Sequence, residues 1–376
     1  MIVPLTPAIR ELDRISPTTY EAILKCIARA AWLVSSDNQL LPSHPGALLG
    51  TAVHFVLERA RSGDVKANSE DQRLLEGGSL FDEKMEELFA GAHPLLRAKF
   101  ENQQLLPFYN LYRARAAQMA AEFVRAPGGQ ASIGRTGSDA ATHTKIEKPL
   151  ASRDGKIVGR PDVLDPANAT VVDTKTGRIS GTTMTDGEIR QLRLYAFLAA
   201  ENGIEIRRGV IERADRTRME VPISISEGAE EGRLAVAALE KYNQQAGKPF
   251  SDIAAPSAEN CRFCPCIAIC DAFWAKATQE WASQCGTHIE GEVESTEGDM
   301  LVSIYLKVAR GTGPNGSAVV TRLSRMWLTF DGSGLPKPGQ TIRVTDATYV
   351  DGTMSPAIFR ADRIATAVWT LGETPR

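Results

Sequence analysis

The sequence predicts an α/β fold: a mixed sheet flanked by helices, followed by a small all-β unit of barrel type. Three observations carry this. Apolar residues recur at helical spacing through most of the first 125 residues; strand and helix patterns then alternate between about 144 and 242; and beyond about Gly286 short strand-like runs dominate, separated by Gly, Pro and Asp. At 376 residues, 43% of them hydrophobic, the chain is long enough for two domains, set here at 1–286 and 287–376.

Residues 15–32 read as one capped helix, with Ser16 as N-cap and Pro17 at the first position. Cys26 lies on it, and a lone cysteine on an amphipathic helix is ordinarily a small core residue. Residues 45–58 form a glycine-led second helix carrying His54 and Glu58 one turn apart. Residues 80–125 are helical in pattern, with Tyr109, Tyr112 and Met119 in the core, and 126–141, rich in Gly, Ser and Thr, read as a connection. A strand signal starts at 144–150 and turns at Asp154-Gly155. A helix spans 186–202, ends at Gly203, and sets Gln191 and Tyr195 one turn apart on one face. A hairpin over 204–223 and a helix over 228–242 follow. Strands are expected at 288–294, 300–308, 318–323, 326–330, 341–349 and 358–368. They read as a five- or six-stranded barrel of the oligonucleotide-binding (OB-like) kind. A net excess of four basic residues over 301–376 and exposed-looking aromatics at Tyr305, Trp327, Tyr349 and Phe359 support that reading.

The chemistry concentrates in residues 159–178. One arm, Gly159-Arg-Pro-Asp-Val-Leu-Asp165, meets a turn-forming Pro166-Ala-Asn-Ala169, and the second arm, Thr170-Val-Val-Asp-Thr-Lys175, is rich in β-branched residues. Side chains alternate along a strand, so Asp173 and Lys175 share a face and Thr174 points the other way. Asp162 can come up beside Asp173. Two carboxylates so close repel unless a cation lies between them, and oxygen ligands suit Mg²⁺ or Mn²⁺.

A net charge of −3 confines any nucleic-acid contact to local patches. No apolar run is long enough for a membrane span, no charged start precedes an apolar core, and no Walker-type phosphate loop is present; a cytoplasmic protein that is not itself an ATP-driven motor is expected. Of six cysteines, Cys261, Cys264, Cys266 and Cys270 crowd into ten residues, which is metal-site spacing rather than a disulfide framework.

In order and spacing, Gly50-Thr-Ala-Val-His54, Gly159-Arg-Pro-Asp162, Val171-Val-Asp-Thr-Lys-Thr-Gly177 and Gln191-x-x-x-Tyr195 resemble the PD-(D/E)xK nucleases of the RecB type, in the branch with an iron-sulfur cluster, over residues 16–270. The resemblance implies a restriction-endonuclease-like fold and a divalent-metal-dependent deoxyribonuclease, acting on single strands or DNA ends in repair, recombination or defence. It places the metal on His54, Asp162, Asp173 and the Thr174 carbonyl. Lys175 would position the attacking water, Gln191 and Tyr195 would support the site, and Glu147 would approach it. An imidazole ligand favours Mn²⁺ somewhat over Mg²⁺. The resemblance also implies a 4Fe-4S cluster on Cys26, Cys261, Cys264 and Cys270, stapling the first helix to the last segment. Cys266 creates a rival, a local Zn²⁺ on Cys261, Cys264, Cys266 and Cys270 with Cys26 merely buried. Two other functions stay open: a non-cleaving DNA-binding scaffold for a helicase or other partner, and a restriction-like endonuclease.

Overall fold

Ser16 accepts a hydrogen bond from Thr19 N at 3.2 Å and Pro17 opens the helix, yet that helix, α1 (Pro17–Lys25), stops short of Cys26. Cys26 is extended (φ −164°, ψ 121°) and separates α1 from α2 (Ile27–Val34). The single helix expected over 15–32 is therefore two, and the break turns the Cys26 thiol toward Ala255, whose N–H lies 3.3 Å away. The computed structural model describes residues 1–125, 145–146, 148–177, 182–213, 215, 217–351 and 355–371; the expected connection over 126–141, Glu147 and Arg178 lie outside these.

Next come α3 (Pro45–Arg61), α4 (Glu70–Ala90), α5 (Pro94–Lys99) and α6 (Tyr109–Arg125). Their apolar stripes close on a core of their own that includes Val53, Val56, Phe81, Met85, Tyr109 and Tyr112, with Met119 packed against it. No described helix is long and apolar enough to cross a membrane.

Strand β1 (Lys145–Ile146) precedes a small hairpin of β2 (Leu150–Ala151) and β3 (Val158–Gly159), turned at Gly155 with φ 71°. The first arm of the long hairpin is thereby divided. Gly159 pairs in β3, residues 160–162 cross over, and β4 (Val163–Asp165) runs antiparallel to β5 (Thr170–Lys175). From β5 the chain crosses through α7 (Asp186–Glu201) to β6 (Arg208–Arg213), parallel to β5, and returns in β7 (Arg218–Pro222). The sheet order is β1-β4-β5-β6-β7. It is a mixed sheet, with a helical crossover where two strands run parallel. Helix α8 (Ile225–Asn243) packs on α7.

After α9 (Asp271–Lys276) and α10 (Ala282–Cys285) come β8 (Thr287–Glu297), β9 (Leu301–Gly311), β10 (Gly316–Ser324), α11 (Arg325–Thr329), β11 (Thr341–Asp351), β12 (Ala357–Arg360) and β13 (Ala367–Thr370). Pairing runs β8-β9-β10-β12-β11 and back to β8, parallel only between β10 and β12, with β13 added to β11. Two expectations change here. The strand expected over 326–330 falls in helix α11, whose turn sends Leu328 into the core of this sheet and Trp327 and Phe330 against the separate core built from α1, α2, α7, α8 and the first sheet. The strand expected over 358–368 is two, divided where Asp362 Oδ1 accepts the N–H groups of Ile364 and Ala365. The chain start is sewn onto the far edge: Val3 N donates to Thr370 O at 3.0 Å and Thr370 N to Met1 O at 2.5 Å.

Candidate active site

The central strand β5 is buried through Thr174, so each polar side chain on it must find a partner inside the protein. Alternation places Asp173 and Lys175 toward α7. There Gln191 Nε2 donates to Asp173 Oδ1 at 2.8 Å while Lys175 Nζ donates to Gln191 Oε1 at 2.7 Å. The ammonium also lies 2.7 Å from Asp173 Oδ2, a charge contact rather than an aligned hydrogen bond, since that buried oxygen has no hydrogen-bond partner. Burial pushes the Asp173 carboxyl above its usual range; the Lys175 ammonium opposes this and the Asp162 carboxylate adds to it.

Three features bring α7 to this position. Thr185 and Glu188 form a reciprocal cap that fixes its start. Gln191 and Tyr195, one turn apart, are joined through Gln191 Nε2 and the Tyr195 hydroxyl at 3.1 Å, and that hydroxyl donates to the Arg160 carbonyl at 3.3 Å. Gly159 supplies the clearance: a Cβ there would stand 2.8 Å from Leu198 Cδ1 and 3.0 Å from Tyr195 Cε1.

Asp162 arrives from the crossover before β4, and its Oδ2 accepts the Thr174 N–H at 2.6 Å. The N–H and C=O of a strand residue point to the same edge, so the Thr174 carbonyl faces the Asp162 side of β5. His54 Nδ1, from α3, is 3.8 Å from Asp162 Oδ2. The structure thus joins Asp173, Lys175, Gln191 and Tyr195 in one hydrogen-bonded group, with Asp162 held beside it by the Thr174 N–H and His54 at its border. Among the described residues, no three His, Cys, Asp or Glu side chains stand close enough to hold a metal as they are placed.

Sequence reasoning passed over Arg61. It is buried, donates from Nη2 to Thr174 Oγ1 at 3.0 Å and lies 3.8 Å from Glu212, so it secures the face of β5 opposite the carboxylates. A signal existed, because positions 54, 58 and 61 share one helical face. Glu58 pairs with Arg160, tying α3 to the crossover beside Asp162.

A family profile described as PD-(D/E)XK nuclease superfamily matches residues 14–271. The chain belongs to the PD-(D/E)XK nuclease superfamily. Members of this superfamily are typically nucleases that use divalent metals, and the mixed sheet with helices on it is consistent with their fold. No curated protein matches the chain. Among solved structures, "Crystal structure of SSO0001" is 20% identical, covers 48% of this chain and 84% of its own, and has a TM-score of 0.24, too slight a likeness to carry an argument.

Elsewhere in this PD-(D/E)XK chain, Cys26, Cys261, Cys264, Cys266 and Cys270 line one small cavity together with Ala254, Asn260 and Phe273. All are free thiols. Cys264 and Cys266 Sγ are 3.4 Å apart. Burial pushes the Cys261 thiol up to about 12 and the Cys270 thiol up to about 11. The aromatics assigned to the surface of the six-stranded sheet divide. Phe359 is fully buried and Trp327 packs under Lys99, whose Nζ is 5.6 Å from its ring centre; Tyr349 stays exposed and Tyr305 half-buried. For Phe359 the cause is plain, since a small closed sheet needs aromatics to fill its interior, while Trp327 sits on α11 and packs against the other core.

Proposed function

We propose that this chain is a RecB-type, divalent-metal-dependent deoxyribonuclease acting on single strands or DNA ends. The observation that carries the reading is the closed circuit of Asp173, Lys175 and Gln191 beside Asp162, drawn from one strand, the crossover before β4 and a helix. A structural ion pair would not need a second buried carboxylate next to it; such a pair raises the cost of burial unless a cation is added. The donors are carboxylate oxygen, a carbonyl and an imidazole, a set suited to Mg²⁺ or Mn²⁺. Asp162, Asp173, His54 and the Thr174 carbonyl would hold that ion, given a small inward movement of the side chains. Bound there, it supplies charge neutralisation at a phosphate and a nucleophile at neutral pH. Lys175 orients the water and meets charge developing on the phosphate, Gln191 fixes the Lys175 ammonium against Asp173, and Tyr195 fixes Gln191.

In this reading residues 1–286 form the nuclease domain and 287–376 an OB-like domain. The cycle of pairings through β8, β9, β10, β12 and β11, with its single parallel contact, supports an OB-like barrel; Tyr349 and Tyr305 remain as faces for stacking on bases. The cysteine cavity is read as the site of a 4Fe-4S cluster on Cys26, Cys261, Cys264 and Cys270. Cys26 belongs with them because it stands in the same cavity from the far end of the domain, which a local zinc on the other four does not require.

The test is cleavage of linear and circular, single- and double-stranded DNA in Mn²⁺ or Mg²⁺ by the wild type, Asp173→Ala and Lys175→Ala. Cleavage by the wild type alone is expected. Equal cleavage by all three would remove the site assignment, and none by any would favour a non-cleaving DNA-binding scaffold.

A further inference from the structure

Arg343 on β11 carries a cation into the interior between the six-stranded sheet and the cysteine segment, where it is 2% exposed. Within its own sheet its Nε donates to Glu290 Oε2 at 2.8 Å. The other donors cross over. Nη1 donates to the Ala268 carbonyl at 2.7 Å, Nη2 to Asp271 Oδ1 at 2.6 Å, and the guanidinium carbon lies 5.1 Å from the centre of the Trp274 ring. Ala268 is the midpoint between Cys266 and Cys270, and Asp271 follows Cys270 directly. The preceding carbonyl, that of Ile267, is held by Trp274 Nε1 at 2.9 Å. Two successive carbonyls of the turn between these cysteines are thus fixed by side-chain donors, one of them from the C-terminal sheet.

Burying an arginine this way costs more than burying a methionine of similar volume, so cohesion alone does not account for it. A planar guanidinium with donors in a fixed fork sets angles as well as distances. Groups just outside a metal's ligands commonly have that task, orienting the ligands and excluding other arrangements.

We propose that Arg343 is a positioning residue for the cysteine site. Docked on the nuclease part, the C-terminal sheet holds the Cys266–Cys270 turn so that the Cys270 thiol converges with those of Cys26, Cys261 and Cys264 on one metal centre, and the site is complete only with that sheet in place. This rests on reading the cysteine cavity as a metal centre. Linkage follows: a bound metal tightens the docking of β11, and undocking releases the metal.

The test uses full-length wild type, Arg343→Met, Arg343→Lys and Asp271→Asn, purified anaerobically. Iron, sulfide and zinc per chain, the visible absorption spectrum and the rate of metal loss to EDTA are measured. Asp271 is exposed, so Asp271→Asn weakens the clamp without replacing a buried side chain, leaves Arg343 its Glu290 partner, and judges the idea if Arg343→Met fails to fold. Arg343→Met is expected to retain metal about 10- to 100-fold less well than the wild type. Arg343→Lys, which keeps a donor for Ala268, should fall between them, and Asp271→Asn should shift least in the same direction. Hydrogen exchange over residues 341–345 of the wild type should slow when metal is bound. Wild-type metal retention in both Arg343→Met and Asp271→Asn, or exchange over 341–345 indifferent to metal, overturns the clamp alone. A wild type with neither iron nor zinc overturns the metal-centre reading and the clamp with it, so metal content of the wild type tells the two failures apart.

Discussion

Replacing Gln191 by Ala removes the group that joins the two ends of the Asp173/Lys175 circuit. Its amide nitrogen is 2.8 Å from Asp173 Oδ1 and its amide oxygen 2.7 Å from Lys175 Nζ. Each is a hydrogen bond to an ion, of a kind worth about 1.5–3 kcal/mol. Gln191 is half-buried, so water takes over part of both contacts in the variant, and about 1.5–3 kcal/mol of positioning in total is the reasonable loss. If that positioning acts in the transition state, the cleavage step slows about 10- to 100-fold. Single-turnover cleavage of an end-labelled single-stranded oligonucleotide, with enzyme in excess and Mn²⁺ saturating, reads this step without interference from product release. The fold should survive, because Asp173 keeps Lys175 and Tyr195 keeps its bond to the Arg160 carbonyl at 3.3 Å. A Gln191→Ala rate within about twofold of wild type, beside an inactive Lys175→Ala, would refute the reasoning: Lys175 would then be held well enough by Asp173 alone.

Three further outcomes follow from the geometry. Gly159→Ala puts a Cβ 2.8 Å from Leu198 Cδ1 and 3.0 Å from Tyr195 Cε1; a cost of about 1–3 kcal/mol in a urea melt, with slower cleavage as α7 is displaced, is expected, and an unchanged midpoint would contradict it. Arg61→Met leaves Thr174 Oγ1 without its buried donor, while Glu212 keeps Arg218 at 3.2 Å; a loss of about 1–3 kcal/mol, that of an unsatisfied buried hydroxyl, is expected by the same melt, and a loss under about 1 kcal/mol would speak against a structural role. Burial holds the Lys99 ammonium down to about 8, against 10.5 for an ordinary lysine, while it donates to the Thr366 carbonyl at 2.6 Å. Between those pH values the unfolded chain keeps the proton and the folded chain has shed it. Stability arising from Lys99 therefore rises with pH across that window, and wild type should gain on Lys99→Met between pH 8 and 10.5. A difference between the two that does not change with pH would place the Lys99 proton elsewhere.

The parts of the site that were legible in the sequence are those set by local rules. Alternation along 170–175 fixed which side chains share a face, and i, i+4 spacing put Gln191 with Tyr195; both hold for any register the strand adopts. The break at Cys26 was not legible, because apolar periodicity runs on through it and one extended residue leaves no trace in a pattern read over several turns. Residues 326–330 failed for a related reason: a five-residue apolar run fits a strand and a helical turn equally well, and here the deciding fact is that Trp327 and Phe330 must reach one core and Leu328 another. Phe359 could not be sorted into surface or interior until the sheet closed.

Arg343 marks the other limit, since its partners lie 72 and 75 residues away and no spacing rule connects them. It also changes what the second part of the chain is. An appended module can be removed without harm to the first, whereas here β11 reaches the turn between two cysteines, Lys99 and Arg363 exchange hydrogen bonds with the opposite part at 2.6 and 2.7 Å, and the chain start pairs with β13. Cutting at Gly286 would break all of these contacts at once and strip Lys99 and Arg343 of their buried partners. A truncated protein that failed to bind DNA would then report lost support for the cysteine segment as readily as lost DNA contacts. Surface substitutions on the six-stranded sheet, beginning with exposed Tyr349, separate the two causes where deletion cannot.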